Sequence, residues 1–217
     1  MPGLELQRKN MVESQVRPSD VTDRRITSAM MALPRERFVP ANVANLAYMD
    51  EAIAVGPGRG LMAPRVLARL VQLADVSQND SVLVVGAGSG YSAALLAGLG
   101  QKVIALESDT DMAARIAPLL GDLGIANVAA VPGPLPAGWQ PAAPYDVILL
   151  DGAVEAVPEA LTAQLAAGGR LVAIEKQGGF SRAVLLRKSG EVVSRRVAFD
   201  AAAPALPGFE RAAGFVF

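Results

Sequence analysis

Apolar and polar positions fall into two regimes along the chain. Up to about Leu73, apolar side chains recur at helical spacing, interrupted by loops. Ile26, Met30 and Leu33 share a face with Asp23 ahead of them, Asp20 or Thr22 is placed to cap that helix, and Pro34 ends it. Pro34 to Pro40 reads as a turn carrying a buried Phe38, and Met30-Met31 as core packing. Gly56-Pro57-Gly58-Arg59-Gly60 reads as a loop. Pro64 then opens a helix whose apolar stripe is Val66, Leu67, Leu70, Val71 and Leu73.

From Asp80 the pattern becomes short apolar runs alternating with helical ones. Ser81–Val85 reads as a strand, Tyr91–Leu99 as a small-residue helix and Lys102–Leu106 as a strand with Glu107 at its end. Ser108 or Asp109 caps a helix through Met112, Ile116 and Leu120. Strands follow at Asn127–Val131 and Tyr145–Leu150, then a helix at Pro158–Leu165 stopped by Gly168-Gly169, with Glu155 as a charge at its start, and a strand at Arg170–Ile174. Ala183–Arg187 and Glu191–Val197 pair as a hairpin turning at Ser189-Gly190. Continuously apolar strands separated by helices imply a parallel sheet covered on both faces. The predicted fold is α/β: a doubly wound, mostly parallel, Rossmann-like sheet with an N-terminal helical extension and a C-terminal antiparallel edge. No linker divides the chain, so 1–217 reads as one domain, with a helical and loop-bearing region over 1–79 and an α/β core over 80–217.

Composition narrows the chemistry. The 217 residues hold 20 Lys plus Arg against 21 Asp plus Glu, a net charge of −1. That balance argues against a duplex-binding protein, and 5% aromatic content argues against a base-stacking surface. The excess of Arg and Lys between Arg170 and Arg196 reads as the polar face of a solvated hairpin. No cysteine is present, which excludes disulfides, thiolate metal sites and a Cys nucleophile. No histidine is present either, which removes Ser-His-Asp and Cys-His catalysis and the commonest metal ligand. Carboxylates, hydroxyls, Lys, Arg, backbone amides or an organic cofactor remain. The first ten residues have no apolar signal core, and the uncharged stretch Ser81–Gln101 is broken by five glycines, so a strand, turn and helix explain it better than a membrane span. A cytoplasmic protein without a membrane partner is expected.

The sharpest local signal is Val85-Gly86-Ala87-Gly88-Ser89-Gly90-Tyr91, between a strand and a helix. Glycines there let the backbone approach a ligand closely, and the helix start offers free N–H groups. In a dinucleotide fingerprint the third glycine falls where Tyr91 stands. The tighter GxGxG spacing favours a nucleoside without a pyrophosphate, such as S-adenosylmethionine. Glu107 lies 17 residues beyond Gly90 at the next strand end, where a carboxylate accepts both ribose hydroxyls. The structural alternative is a tight packing turn with Glu107 as a solvated strand end; a nicotinamide cofactor is a further alternative.

These residues lie within a longer resemblance. MVESQVRPSDVTDRRITSAMMALPRERFVP from Met11, Ala47-Tyr48-Met49-Asp50, VLVVGAGSGY, PYDVILLDGAVEAVP from Pro144 and QLAAGGRLV from Gln164 together resemble the protein-L-isoaspartate O-methyltransferase family over most of the chain. The resemblance implies a class I methyltransferase fold and S-adenosylmethionine as cofactor. It implies a carboxyl O-methyltransferase whose partner is a damaged protein or peptide with isoaspartyl residues. It places the cofactor against Gly86, Ala87, Gly88, Ser89, Gly90, Glu107 and Ser108, with Gly133 and Pro134 where the family has a Gly-Asp-Gly loop near the adenine. The family's substrate loop, a Thr-Ile-Ser-Ala-Pro-type run, falls on Gly60-Leu61-Met62-Ala63-Pro64, so Leu61, Met62 and Ala63 face the substrate and Met62 holds the place of the active-site Ser. Asp151, ending a strand, is a further candidate to line the substrate site; no set of carboxylates convincing as a metal site accompanies it. Tyr48 and Asp50 read as supports for the loop. The alternative is a relative that binds S-adenosylmethionine without isoaspartyl activity.

Overall fold

A computed structural model describes residues 3–210. The order along the chain is α1 (Leu4–Met11), α2 (Arg24–Ala32), a hairpin of β1 (Ile53–Gly56) and β2 (Arg59–Leu61), then α3 (Pro64–Ala74). The core follows: β3 (Ser81–Val85), α4 (Tyr91–Ala97), β4 (Lys102–Glu107), α5 (Thr110–Asp122), β5 (Val128–Pro132), β6 (Tyr145–Val154), α6 (Glu159–Ala163), β7 (Leu165–Gln177), β8 (Phe180–Ser189) and β9 (Val192–Asp200). The seven strands of the large sheet run in the order β5-β4-β3-β6-β7-β8-β9. Pairing is parallel from β5 to β7 and antiparallel for β8 and β9, as the sequence pattern predicts. The order reverses between β3 and β6, so a crevice opens beyond their carboxyl ends, where open α/β sheets bind ligands.

The period-two alternation of the central strands sorts their side chains onto two faces. Val82 and Val84 join a cluster with Met30, Leu67, Leu70, Leu95 and Ile116. Leu83 and Val85 join Leu106, Leu150, Leu161 and Leu171 on the other face. The first face lies under α2, α3, α4 and α5; the second is covered by α6, the segment between β5 and β6, and the stretch after β9. Each fully buried Leu or Val contributes about 1.5–3 kcal/mol of apolar transfer, which favours the burial of Val82 through Val85 in β3. Among the described residues no helix is long and apolar enough to cross a membrane.

Several boundaries differ from the sequence pattern. The cap of α2 is Asp23, whose carboxylate accepts from the Arg25 amide at 2.8 Å; Asp20 instead takes a left-handed backbone (φ 62°), and the Thr22 amide donates to Gln72. The Gly56–Gly60 run is a hairpin rather than an open loop. Helix α4 stops at Ala97, two residues short of Leu99. Strand β6 continues past Leu150 to Val154. Helix α6 ends at Ala163, not at the glycines: Gly168-Gly169 sit inside β7, where a Cβ on Gly169 would stand 2.9 Å from two backbone carbonyls. Glu155 lies ahead of the first turn of α6 rather than in it. Strand and helix ends shift because pairing with neighbouring strands outweighs local propensity.

Candidate functional site

Strand β3 delivers the glycine turn into the crevice. Gly86 and Gly90 adopt φ of 79° and 93°, open to glycine and strained for other residues. The amides of Gly86 and Ala87 donate to the Leu106 carbonyl at 2.9 and 3.0 Å, fastening the turn to the end of β4. Behind it, Tyr91 is buried with its ring edge-on to Phe38, 5.2 Å between centroids, and beneath the Arg35 guanidinium. Tyr91 therefore anchors the turn to the N-terminal region.

Glu107 ends β4 and is fully buried. The Gly88 amide donates to its Oε2 at 2.8 Å, and the Ser108 and Asp109 amides donate to its Oε1 at 2.7 and 3.0 Å. The Arg59 guanidinium, from β2, reaches the same carboxylate with Nη2 at 2.7 Å and Nε at 3.0 Å from each oxygen. Arg59 Nη2 also donates to the Ser108 hydroxyl at 2.7 Å. Burial pushes the Glu107 carboxyl upward, but Arg59 and the backbone amides outweigh it and hold it below the usual carboxylate range. The group gathered here is an anion in a nest of donors, already met by the chain's own cation.

The substrate-loop residues arrive on the same side. Leu61 pairs with Ile53 in the hairpin, and Ala63 is the residue before α3. Met62 is fully buried, and its carbonyl accepts from Arg35 Nη2 at 2.6 Å. Arg35 Nε donates to the Ala47 carbonyl at 2.7 Å, so one buried arginine fixes two loops. Tyr48 donates to Glu36, and Arg65 pairs with Asp50 at 3.0 Å, which fits their reading as supports. Asp151 lies in β6, buried, with Oδ1 unpartnered. Burial pushes its carboxyl up to about 7, against the downward pull of Ser92 and Arg35. The buried Ser89 hydroxyl oxygen is likewise unpartnered, while the Ser92 hydroxyl faces Asp151 and the Tyr91 hydroxyl faces Arg35. Gly133 is held by its amide on the Glu107 carbonyl at 2.9 Å, while Pro134 is exposed. No group of three or more metal-ligating side chains occurs among the described residues.

Two features carried no local signal in the sequence. Arg59 sits among glycines, and its partner is 48 positions away. The second is the stretch after β9. Its Leu206 is buried against the turn: a Cβ on Gly86 would stand 2.5 Å from Leu206 Cδ2, and one on Gly152 would stand 2.7 Å from Leu206 Cγ. Apolar Ala-Pro-Leu-Pro composition is the only trace of this in the sequence.

Set against known proteins, the chain matches the sequence model of the family described as protein-L-isoaspartate(D-aspartate) O-methyltransferase over residues 6–200. It is 39% identical over 167 residues to a protein-L-isoaspartate O-methyltransferase of Methanoculleus marisnigri, covering 77% of this chain and 76% of that protein. It is 39% identical over 185 residues to one of Methylorubrum populi, covering 85% and 87%. The fold is shared with solved structures. A protein-L-isoaspartate O-methyltransferase superposes with a TM-score of 0.81 at 24% identity, over 93% of this chain and 66% of that one. A Plasmodium falciparum protein of the same description, in complex with S-adenosyl-L-homocysteine, superposes with a TM-score of 0.79 at 20% identity, over 92% and 97%. With the family's sequence pattern running through the leader, the glycine turn and the later strands alike, the chain belongs to the protein-L-isoaspartate O-methyltransferase family.

Proposed function

We propose that the protein is an S-adenosylmethionine-dependent carboxyl O-methyltransferase acting on L-isoaspartyl residues of damaged proteins or peptides. The observation that carries this reading is the family's glycine turn joined to a buried carboxylate at the next strand end. The residues present fit the cofactor by type: a turn of positive-φ glycines at the crevice and an acidic acceptor held by the Gly88 amide. S-adenosylmethionine, when bound, supplies an electrophilic methyl group on a sulfonium.

The chain's own part is to position and exclude. Gly86, Ala87, Gly88, Ser89 and Gly90 bring backbone to the nucleoside, Glu107 and Ser108 serve its ribose side, and Gly133 and Pro134 border the base. Leu61, Met62, Ala63 and Asp151 are assigned to the acceptor side. An isoaspartyl carboxylate is ionised at neutral pH and is already a nucleophile, so no general base is required. Alignment of the acceptor oxygen and removal of water from a lining of Leu61, Met62 and Ala63 are then the main contributions. This matches a chain without histidine. We read 1–217 as one unit, supported by a single apolar cluster that holds Met11, Met30 and Leu67 together with Val84 and Leu149. A cytoplasmic location accompanies this reading.

Incubation with methyl-labelled S-adenosylmethionine and an isoaspartyl peptide beside its aspartyl twin tests it. Label is expected on the isoaspartyl peptide alone. A second reading, a relative that holds the nucleoside but not this acceptor, is favoured by Met62, fully buried and without a hydroxyl to offer a carboxylate. Nucleoside binding without labelling of either peptide would select it.

A further inference from the structure

The two buried carboxyls of the site are held in opposite ways. Glu107 is met by Arg59 and by three backbone amides. Asp151 is 6% exposed, its Oδ1 is unpartnered, and it takes part in none of the ion pairs among the described residues. It follows Leu150, the Cα partner of Val85, so it stands level with Gly86 at the start of the glycine turn. Val147 and Leu149 point to the face beneath α4, and Asp151, two residues on, meets the Ser92 hydroxyl of that helix. The charged groups within reach are Arg35 from the N-terminal region, Arg59 from β2 and Glu107 from β4. Both guanidiniums are engaged elsewhere, Arg35 with the Ala47 and Met62 carbonyls and Arg59 with Glu107. A carboxyl buried without a cation or amide of its own keeps its proton rather than an uncompensated charge.

We propose that Asp151, as a neutral acid, is the hydrogen-bond donor that recognises the acceptor carboxylate. This rests on the acceptor reading above. An ionised acceptor needs a donor, and the side chains of Leu61, Met62 and Ala63 have none. Arg35 holds the Met62 carbonyl at 2.6 Å and lies within electrostatic reach of Asp151, so the acid and the substrate loop gather about one guanidinium. A carboxylic acid donating to a carboxylate makes a short, charge-assisted bond. It does so without a positive charge, which would repel a cationic cofactor. Once ionised, Asp151 accepts only and carries the acceptor's own sign of charge. Recognition of the acceptor is therefore present while Asp151 holds its proton and is lost as pH rises through its titration.

Calorimetry tests this on the full chain saturated with S-adenosylhomocysteine, with a blocked isoaspartyl peptide free of His as titrant, from about pH 6 to about pH 9. Wild-type affinity is expected to be level at the acid end and to fall about tenfold per pH unit above the Asp151 titration. Asp151→Asn keeps an N–H donor and cannot ionise, so its affinity is expected to be flat and to exceed that of the wild type at the alkaline end. Asp151→Ala is expected to bind about tenfold or more weaker than the wild type at the acid end, the scale of a lost hydrogen bond to a charged group. Infrared spectra of the free protein need no ligand: a neutral-carboxyl C=O band at about pH 6 is expected to fade by about pH 8 and to be absent from Asp151→Asn. A flat wild-type profile, wild-type affinity in Asp151→Ala, or no such band overturns the donor role while leaving the acceptor reading intact. No heat from the peptide at any pH, with the nucleoside bound, overturns the acceptor reading and the donor role with it.

Discussion

Asp151 has Oδ1 buried and unpartnered, and its carboxyl is pushed from 3.8 up to about 7 by burial. Between those values the folded protein keeps a proton that the unfolded chain has released. Stability therefore falls as pH rises through that window and levels off above it. Asp151→Asn removes the titration. We expect the decline, on the order of 4 kcal/mol in full, to vanish in the variant; urea titrations across pH measure it, and parallel pH profiles would refute the assignment. Glu107 is the opposite case, an anion kept ionised by donors, and its stabilisation is present above the ordinary carboxylate range and lost as pH falls below it. The sequence places Glu107 at a strand end beside the glycine turn, because both lie at the carboxyl ends of adjacent parallel strands. It does not place Arg59 on that carboxylate, since a contact spanning 48 residues has no periodic signature.

At the scale of elements, the strand, turn and helix around Gly86 are legible because period-two and helical hydrophobicity change at the glycines. Helix α5 is legible from its cap: Asp109 Oδ1 accepts from the Asp111 and Met112 amides, each at 3.0 Å. Asp109→Ala is expected to lower the unfolding free energy by about 1 kcal/mol, the usual value of an N-cap, read from the midpoint of a urea titration at constant slope. The Asp109 amide that serves Glu107 is untouched by the change. The β1–β2 hairpin is not legible, because Gly-Pro-Gly reads as loop and its strands are only four and three residues long. Nor are the ends of β6 and β7, whose lengths follow from pairing: Val154 is in β6 because it lies beside Glu175.

Across the whole molecule, two apolar clusters lie on opposite faces of one sheet and share its central strands. Arg35 ties the N-terminal loops at Ala47 and Met62 to that arrangement, and Arg170 pairs with Asp80 at 2.6 Å across the other end. Unfolding is accordingly expected to be a single transition. The emission of Trp139, packed on the second cluster, and far-UV ellipticity should give the same midpoint; separate midpoints would divide 1–79 from 80–217. The amino-acid order alone determined the parallel sheet, its antiparallel edge, the glycine turn and the acidic strand end, because these rest on local periodicity and on residues near one another in the chain. Tertiary structure alone decided that Arg59 meets Glu107, that Met62 is buried under Arg35, and that Leu206 lies across the turn. Those contacts join distant segments, and what selects them is the shape and charge left exposed once the sheet has formed.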